Sequence, residues 1–279
     1  MSIRNNQDRI GVDPKEITAD PVVSQEKNDI GYIQPTEVVE LPTKGRYYPK
    51  DHILYNSETL EIRYMTTKDE EILNSKSLLQ KGLALDKMLQ GILINKDIKL
   101  DDLYLGDKNA LILAARITYH DAEYQVSVIC PSCGEKSTPT FNLNNIKVKE
   151  TDEDVLISEN GTFEIILPKS KKKVELRMLT GHDEKALKVA SEKKKKHNLP
   201  ENPISEQLKY IILSIDDNQD RSYINKVVDN MLAFDAKYIR NEYARIIPNL
   251  DLAQEMDCNC GSQPQVDVPL NRTEFFWPK

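Results

Sequence analysis

All four cysteines of the chain fall in two close pairs, Cys130-Pro131-Ser132-Cys133-Gly134 and Cys258-Asn259-Cys260-Gly261. Two residues between Cys130 and Cys133 let both thiolates face one ion. The following glycine allows the tight turn that aims backbone N–H groups at sulfur. The second pair is one residue shorter and fits that geometry less well. Neither pair supplies four ligands alone. If the two meet, Cys130, Cys133, Cys258 and Cys260 close a tetrahedral site with no open position, a structural staple with no catalytic water. One structural zinc per chain is the expected cofactor. Two alternatives remain open, idle thiols and a redox pair. The redox pair would sit at a helix N-terminus, whereas Cys130 follows a strand pattern.

No other chemistry stands out. His52, His120, His182 and His197 are scattered without ligand or triad spacing, and there is no phosphate loop, nucleotide fingerprint or metalloprotease pair. The run Asp216-Asp217-Asn218-Gln219-Asp220 lacks the glycine and terminal glutamate of a calcium loop, so it reads as a polar turn. No catalytic residue, small-molecule substrate or organic cofactor is expected.

The elements that position the cysteines repeat. Glu61-Ile62-Arg63-Tyr64-Met65-Thr66-Thr67-Lys68-Asp69-Glu70 aligns with Glu175-Leu176-Arg177-Met178-Leu179-Thr180-Gly181-His182-Asp183-Glu184, with five of ten positions identical. Each segment has a Leu-Pro upstream (Leu41-Pro42, Leu167-Pro168) and a cysteine pair downstream. The spacing from glutamate to first cysteine is 69 residues in one and 83 in the other, and polar stretches at 193–203 and 216–220 absorb the difference. In both segments polar and apolar residues alternate as in a half-buried strand. A threonine able to cap a helix follows, with an acidic residue three positions on.

This predicts an α+β fold made of a tandem duplicated unit of strand, helices and zinc-knuckle β-hairpin. A four-cysteine, zinc-ribbon-like clamp joins the units. Residues 1–40, with three X-Pro steps and little apolar periodicity, read as an extended or disordered N-terminal arm. Residues 41–150 form the first repeat with the CPSCG knuckle. Residues 151–279 form the second, with the CNCG knuckle and an aromatic tail. Helices are expected at 68–80 and at 108–119, with a second apolar stretch at 83–94 between them and a break at Gly106-Asp107 before the later helix. In the second unit they are expected at 182–196, 205–214, 222–231 and 235–246. Strands lead into and out of each knuckle. The tail Phe275-Phe276-Trp277-Pro278-Lys279 either fills a groove on its own domain or anchors a partner.

Composition narrows the partners. The 279 residues carry a net charge of −7, and no apolar run approaches the roughly 20 residues of a membrane span. Residues 1–14 lack the apolar core of a secretory signal. The clusters Lys169/Lys171–Lys173 and Lys193–Lys196 read as a hairpin turn and a helix end, and the acidic balance argues against nucleic acid. A zinc-ribbon nucleic-acid-binding accessory protein is the rival class.

The string Leu41-Pro42-Thr43-Lys44-Gly45-Arg46-Tyr47-Tyr48-Pro49 precedes the 62–70 segment, the Cys130 knuckle follows a Glu-Tyr strand, and Phe-Phe-Trp-Pro closes the chain. Together, over residues 37–279, these resemble the baseplate hub family of contractile-tailed, T-even-like bacteriophages. The resemblance implies a non-enzymatic structural protein of the tail baseplate, or a transient hub assembly chaperone. Its partners would be other baseplate and tail proteins, and its place the virion after assembly in the host cytoplasm. Residues 1–40 and 270–279 are then expected to make intermolecular contacts.

Overall fold

The computed structural model describes residues 25–27, 33–149, 157–270 and 275–277. Two apolar cores organise them. Val39, Ile62, Met88, Leu89, Leu111 and Phe141 lie in the first, together with Leu250, Met256, Val268, Phe275 and Phe276 from the far end of the chain. Phe163, Leu176, Ile211, Ile224 and Ile239 lie in the second. The second body is therefore inserted between two stretches of the first. The sequence groups residues 250–279 with the second unit, yet the described part of that stretch packs into the first core.

In the first body β1 (Gln25–Lys27), β2 (Ile33–Glu40) and β3 (Thr59–Arg63) form an antiparallel sheet in that order. Strand β2 brings order into the stretch assigned to the arm, since its Val39 is buried. Residues 1–24 of that arm lie outside the described residues. Helices α1 (Thr67–Asn74), α2 (Lys76–Gln80), α3 (Ala84–Ile92) and α4 (Leu105–His120) follow. Ala84, Met88, Leu89 and Ile92 are all buried, the one-face spacing of a packed helix. The helix expected at 68–80 is interrupted at Ser75, whose extended backbone ends α1 and starts α2. The Ser75 hydroxyl meets that of Ser77 at 3.2 Å and caps neither helix.

Short hairpins complete this body: β4 (Glu123–Gln125) with β7 (Thr140–Asn142), and β5 (Val128–Ile129) with β6 (Lys136–Ser137). Strand β8 (Lys147–Val148) leads out. In the second body β9 (Thr162–Ile166), β10 (Lys173–Arg177) and, after α5 (Gly181–Lys196) and α6 (Pro203–Ile211), β11 (Ile212–Ile215) make a sheet in the order β11-β10-β9. Sequence reading extends α6 to residue 214. The β-branched Ile212 and Ile215 instead enter the sheet, Ile212 opposite Leu176. Helices α7 (Arg221–Asp229) and α8 (Ala233–Ile246) follow, and β12 (Leu250–Asp251) returns antiparallel to β8. The hairpin β13 (Ala253–Glu255) and β14 (Gln265–Asp267) closes the chain onto the first core.

Two polar devices occur once in each body. Arg63 reaches both oxygens of Asp69 (2.6 and 2.9 Å) and the Gly91 carbonyl (3.0 Å). Arg177 reaches both oxygens of Asp183 (2.8 and 2.7 Å) and the Tyr210 carbonyl (3.0 Å). Two residues beyond each carbonyl the chain pairs back onto the strand, Leu93 with Ile62 and Ile212 with Leu176. Each aspartate also accepts the N–H and hydroxyl of the capping threonine, Thr66 or Thr180. Burial pushes both carboxyls up, and these hydrogen bonds more than cancel it, leaving both below the usual carboxylate range.

The second device is a fully buried aspartate at the third residue of the last helix, holding the Leu-Pro turn. Asp107 accepts the Thr43 N–H (3.0 Å), the Thr43 hydroxyl (2.6 Å) and the Tyr48 hydroxyl (2.7 Å). Asp235 accepts the backbone N–H groups of Lys169 (3.0 Å) and Ser170 (2.9 Å). Burial raises the Asp107 carboxyl above its ordinary value against these bonds. At Asp235 burial acts the same way, but the turn N–H groups win and hold it low. Gly106-Asp107 therefore starts α4 rather than breaking the chain before it.

An amide at the two positions should behave differently. Two of Asp107's donors are hydroxyls, which can rotate to accept from an amide, so Asp107→Asn should cost about 1 kcal/mol or less. Each oxygen of Asp235 accepts a backbone N–H, which cannot reverse, and the Ser170 hydroxyl is a further donor. Asp235→Asn should cost about 2–3 kcal/mol. Urea unfolding of the two variants checks the contrast, and equal losses would contradict it.

Candidate metal centre

The first knuckle is the turn of the β5–β6 hairpin. There Cys130 N–H donates to the Glu135 carbonyl (2.9 Å) and Gly134 N–H to the Cys130 carbonyl (2.8 Å). The second lies between β13 and β14, with Cys258 N–H on the Ser262 carbonyl (3.2 Å) and Gly261 N–H on the Cys258 carbonyl (2.9 Å). Gly134 and Gly261 have φ of 75° and 81°, which a side chain would strain. The second turn repeats the hydrogen-bond pattern of the first with each span one residue shorter.

The structure brings all four predicted residues together: one sulfur each from Cys130, Cys133, Cys258 and Cys260 lies within 4.8 Å of the others. Cys133 and Cys258 sulfurs are 3.7 Å apart. A tetrahedral ion with bonds of about 2.3 Å sets its sulfurs about 3.8 Å apart. Ser262 places its hydroxyl 2.9 Å from the Cys260 sulfur and 3.8 Å from that of Cys130. All four cysteines are free thiols.

The thiols divide electrostatically. Cys130 is pulled down to about 6, first by the Cys133 backbone N–H and then by that of Ser132. Cys260 is lowered by the Ser262 hydroxyl and N–H. Cys258 is pushed up to about 12, because neighbouring sulfurs and burial outweigh the favourable Cys260 N–H. Cys133 is raised in the same way, against the Glu135 N–H that favours its thiolate. Four thiolates this close repel one another, and a divalent cation between them removes that cost.

Among the described residues this is the only group of metal-ligating side chains gathered closely enough to share an ion. The acidic run at 216–220 is used internally. Asp216 accepts from Lys172 Nζ (2.6 Å) and Lys173 N–H (3.0 Å), and Asp220 caps α7. Four of the eight lysines in the two clusters form ion pairs within the fold, Lys172 with Asp216, Lys173 with Glu164, Lys194 with Glu206 and Lys195 with Glu201. His182 is exposed and meets Asp102 at 2.9 Å.

With this geometry in place, comparison with known proteins gives one result. Residues 36–165 match the family model described as T4 bacteriophage base plate protein. Over that stretch, a little under half of the chain, the sequence is similar to the T4 base plate protein family. No curated protein and no solved structure matches the chain. The base plate segment runs from β2 into β9 and contains Cys130 and Cys133. Cys258, Cys260 and most of the second body lie beyond it. Among the described residues no helix is long and apolar enough to cross a membrane.

Sequence reading missed Asp107, Asp235 and the Arg–Asp clasps as working groups. Their signal was present in the identical Arg and Asp of the two aligned segments and in the shared Leu-Pro. Asp107, beside Gly106, reads as loop, however, and Asp235 as an ordinary helix start, until their burial is seen.

Proposed function

We propose that the chain is a non-enzymatic structural component of the hub region of a contractile-tail baseplate, acting through protein–protein contacts. The match of residues 36–165 to the base plate family carries this reading. The cysteine cluster supports a supplementary one: a single structural zinc, held by Cys130, Cys133, Cys258 and Cys260, pins the two ends of the first body together. Four sulfur ligands leave no position for a reacting water, which agrees with a non-catalytic role. We read the two bodies as copies of one ancestral α+β unit, because the Arg–Asp clasp, the returning strand and the buried aspartate recur in the same order. The net charge of −7 and the internal pairing of four of the eight clustered lysines weigh against the nucleic-acid alternative.

The test is mass spectrometry of purified tails and of baseplate intermediates from infected cells. The expected result is the chain in mature particles at a fixed ratio to other baseplate proteins. Presence in intermediates alone would assign it instead as a transient hub assembly chaperone, and absence from both would overturn the baseplate reading.

A further inference from the structure

The hairpin of β1 and β2 has unequal arms. β2 holds eight residues and β1 three, and their ladder ends at Gln25 opposite Pro35. The other edge of β2 is paired with β3 as far as Glu40. On that edge the Tyr64 N–H donates to the Pro35 carbonyl (2.9 Å) and the Leu41 N–H to the Glu58 carbonyl (2.9 Å). Backbone groups alternate in direction along a strand, so Glu37 and Val39 also face β3, while Val38 turns its N–H and C=O the other way. From Glu37 onward no described residue pairs with that outward edge.

A groove runs along the open edge. It holds about 640 Å³ between β2 and β8, and Ala110, Leu113, Ala114 and Ile117 of α4 give it an apolar floor. Val39, buried, and Glu37, half-buried, stand on the α4 side of β2. Val38 stands on the opposite side and is 47% exposed. Unpaired backbone beside an apolar floor is a template for one more strand.

The position of the remaining chain names the occupant. Residues 1–24 end at Gln25, where the ladder stops, so the residues just upstream lie at the mouth of the groove. Continued without a bulge, the register sets Ser24 opposite Thr36, Val23 opposite Glu37, Val22 opposite Val38 and Pro21 opposite Val39. Val23 and Pro21 then fall on the α4 side, and Val22 falls beside Val38. At Pro21 the strand directs its backbone away from β2, so the missing N–H costs no bond there. One step further, Asp20 would stand opposite Glu40, and like charges end the pairing.

We propose that residues 21–24 of this chain occupy the groove, extending β1 along β2 and laying Val23 over the floor of α4. The added strand covers an edge that would otherwise accept a strand from a neighbouring molecule. Part of the N-terminal segment expected to contact other molecules thus binds its own chain.

Amide hydrogen exchange on the full chain tests it. The Val38 N–H, bonded to the Val22 carbonyl, should exchange at least about tenfold more slowly than in a chain that starts at Gln25. The Glu37 and Val39 N–H groups, bonded to β3, should keep their rates in both, which separates a lost strand from a loosened sheet. Val23→Asp in the full chain should speed exchange at Val38 as truncation does, while Ile17→Asp, upstream of the pairing, should not. A Val38 amide with one rate in the full and shortened chains overturns the proposal. If that rate is fast, the edge is open to a strand from another protein; if slow, something else covers it. Protection that appears only as concentration rises would assign the edge to a second copy, and overturns the proposal as well.

Discussion

Purified protein is expected to carry one zinc per chain, and stripping it with a strong chelator should lower the thermal midpoint by about 10 °C or more. A structural zinc in an isolated peptide contributes roughly 10–16 kcal/mol of folding free energy. Here the loss should be smaller, about 5 kcal/mol, because both knuckle hairpins keep other contacts. Val128, Cys130, Met256 and Val268 all lie in the first core. For a domain of about 150–250 residues each kcal/mol moves the midpoint by roughly 2–4 °C, which gives the expected shift. Cys130→Ser should reproduce the chelated state and remove further sensitivity to chelator. Metal analysis with calorimetry decides the matter, and a metal-free protein indifferent to chelator would leave the cluster as four reduced thiols.

Phe275→Ala should cost about 3–5 kcal/mol, the usual loss on emptying a fully buried aromatic site. The Phe275 ring meets Tyr124 edge to face with centroids 5.0 Å apart. Its carbonyl accepts from Nε of the buried Arg116 (2.6 Å), whose guanidinium carbon lies 5.8 Å from both ring centroids. Arg116 also donates to the Asp121 carbonyl (3.0 Å), so its hydrogen bonds go to backbone oxygens. Emptying the ring site loosens that arrangement as well as leaving a cavity. Trp277, the single tryptophan, sits beside it and donates to Asn74 at 3.1 Å. Its emission should therefore shift to the red in Phe275→Ala, and a variant with unchanged emission and unchanged urea midpoint would show the tail to be dispensable. This revises the expectation that the tail contacts other molecules: Phe275 and Phe276 are buried against their own chain.

What could be read from the sequence was what neighbouring residues decide. The knuckle at Cys130 depends on two intervening residues and a glycine, and α5 on a capping threonine followed by an acidic residue, so both were legible. The break at Ser75 and the strand at Ile212 depend on what the chain packs against, and local periodicity misassigns them. Asp107 and Asp235 were hidden for the same reason, since their partners lie 64 and 66 residues away. The tail left two readings open, and only the position of Arg116 and Tyr124 in space decides between them.

The insertion of one body into the other has a mechanical consequence. The chain leaves the first body at Lys149 and returns at Asn249, where the Lys149 N–H donates to the Asn249 carbonyl at 2.8 Å. Strands β8 and β12 lie side by side there, and the four cysteine sulfurs draw the same two stretches together a second time. A pull applied between the two ends of the described chain, both in the first body, finds a short cut across the β8–β12 pairing. The load runs through the first body, while the second body hangs off that line as a slack loop. It can keep its shape, and whatever it holds, while its neighbour bears the strain.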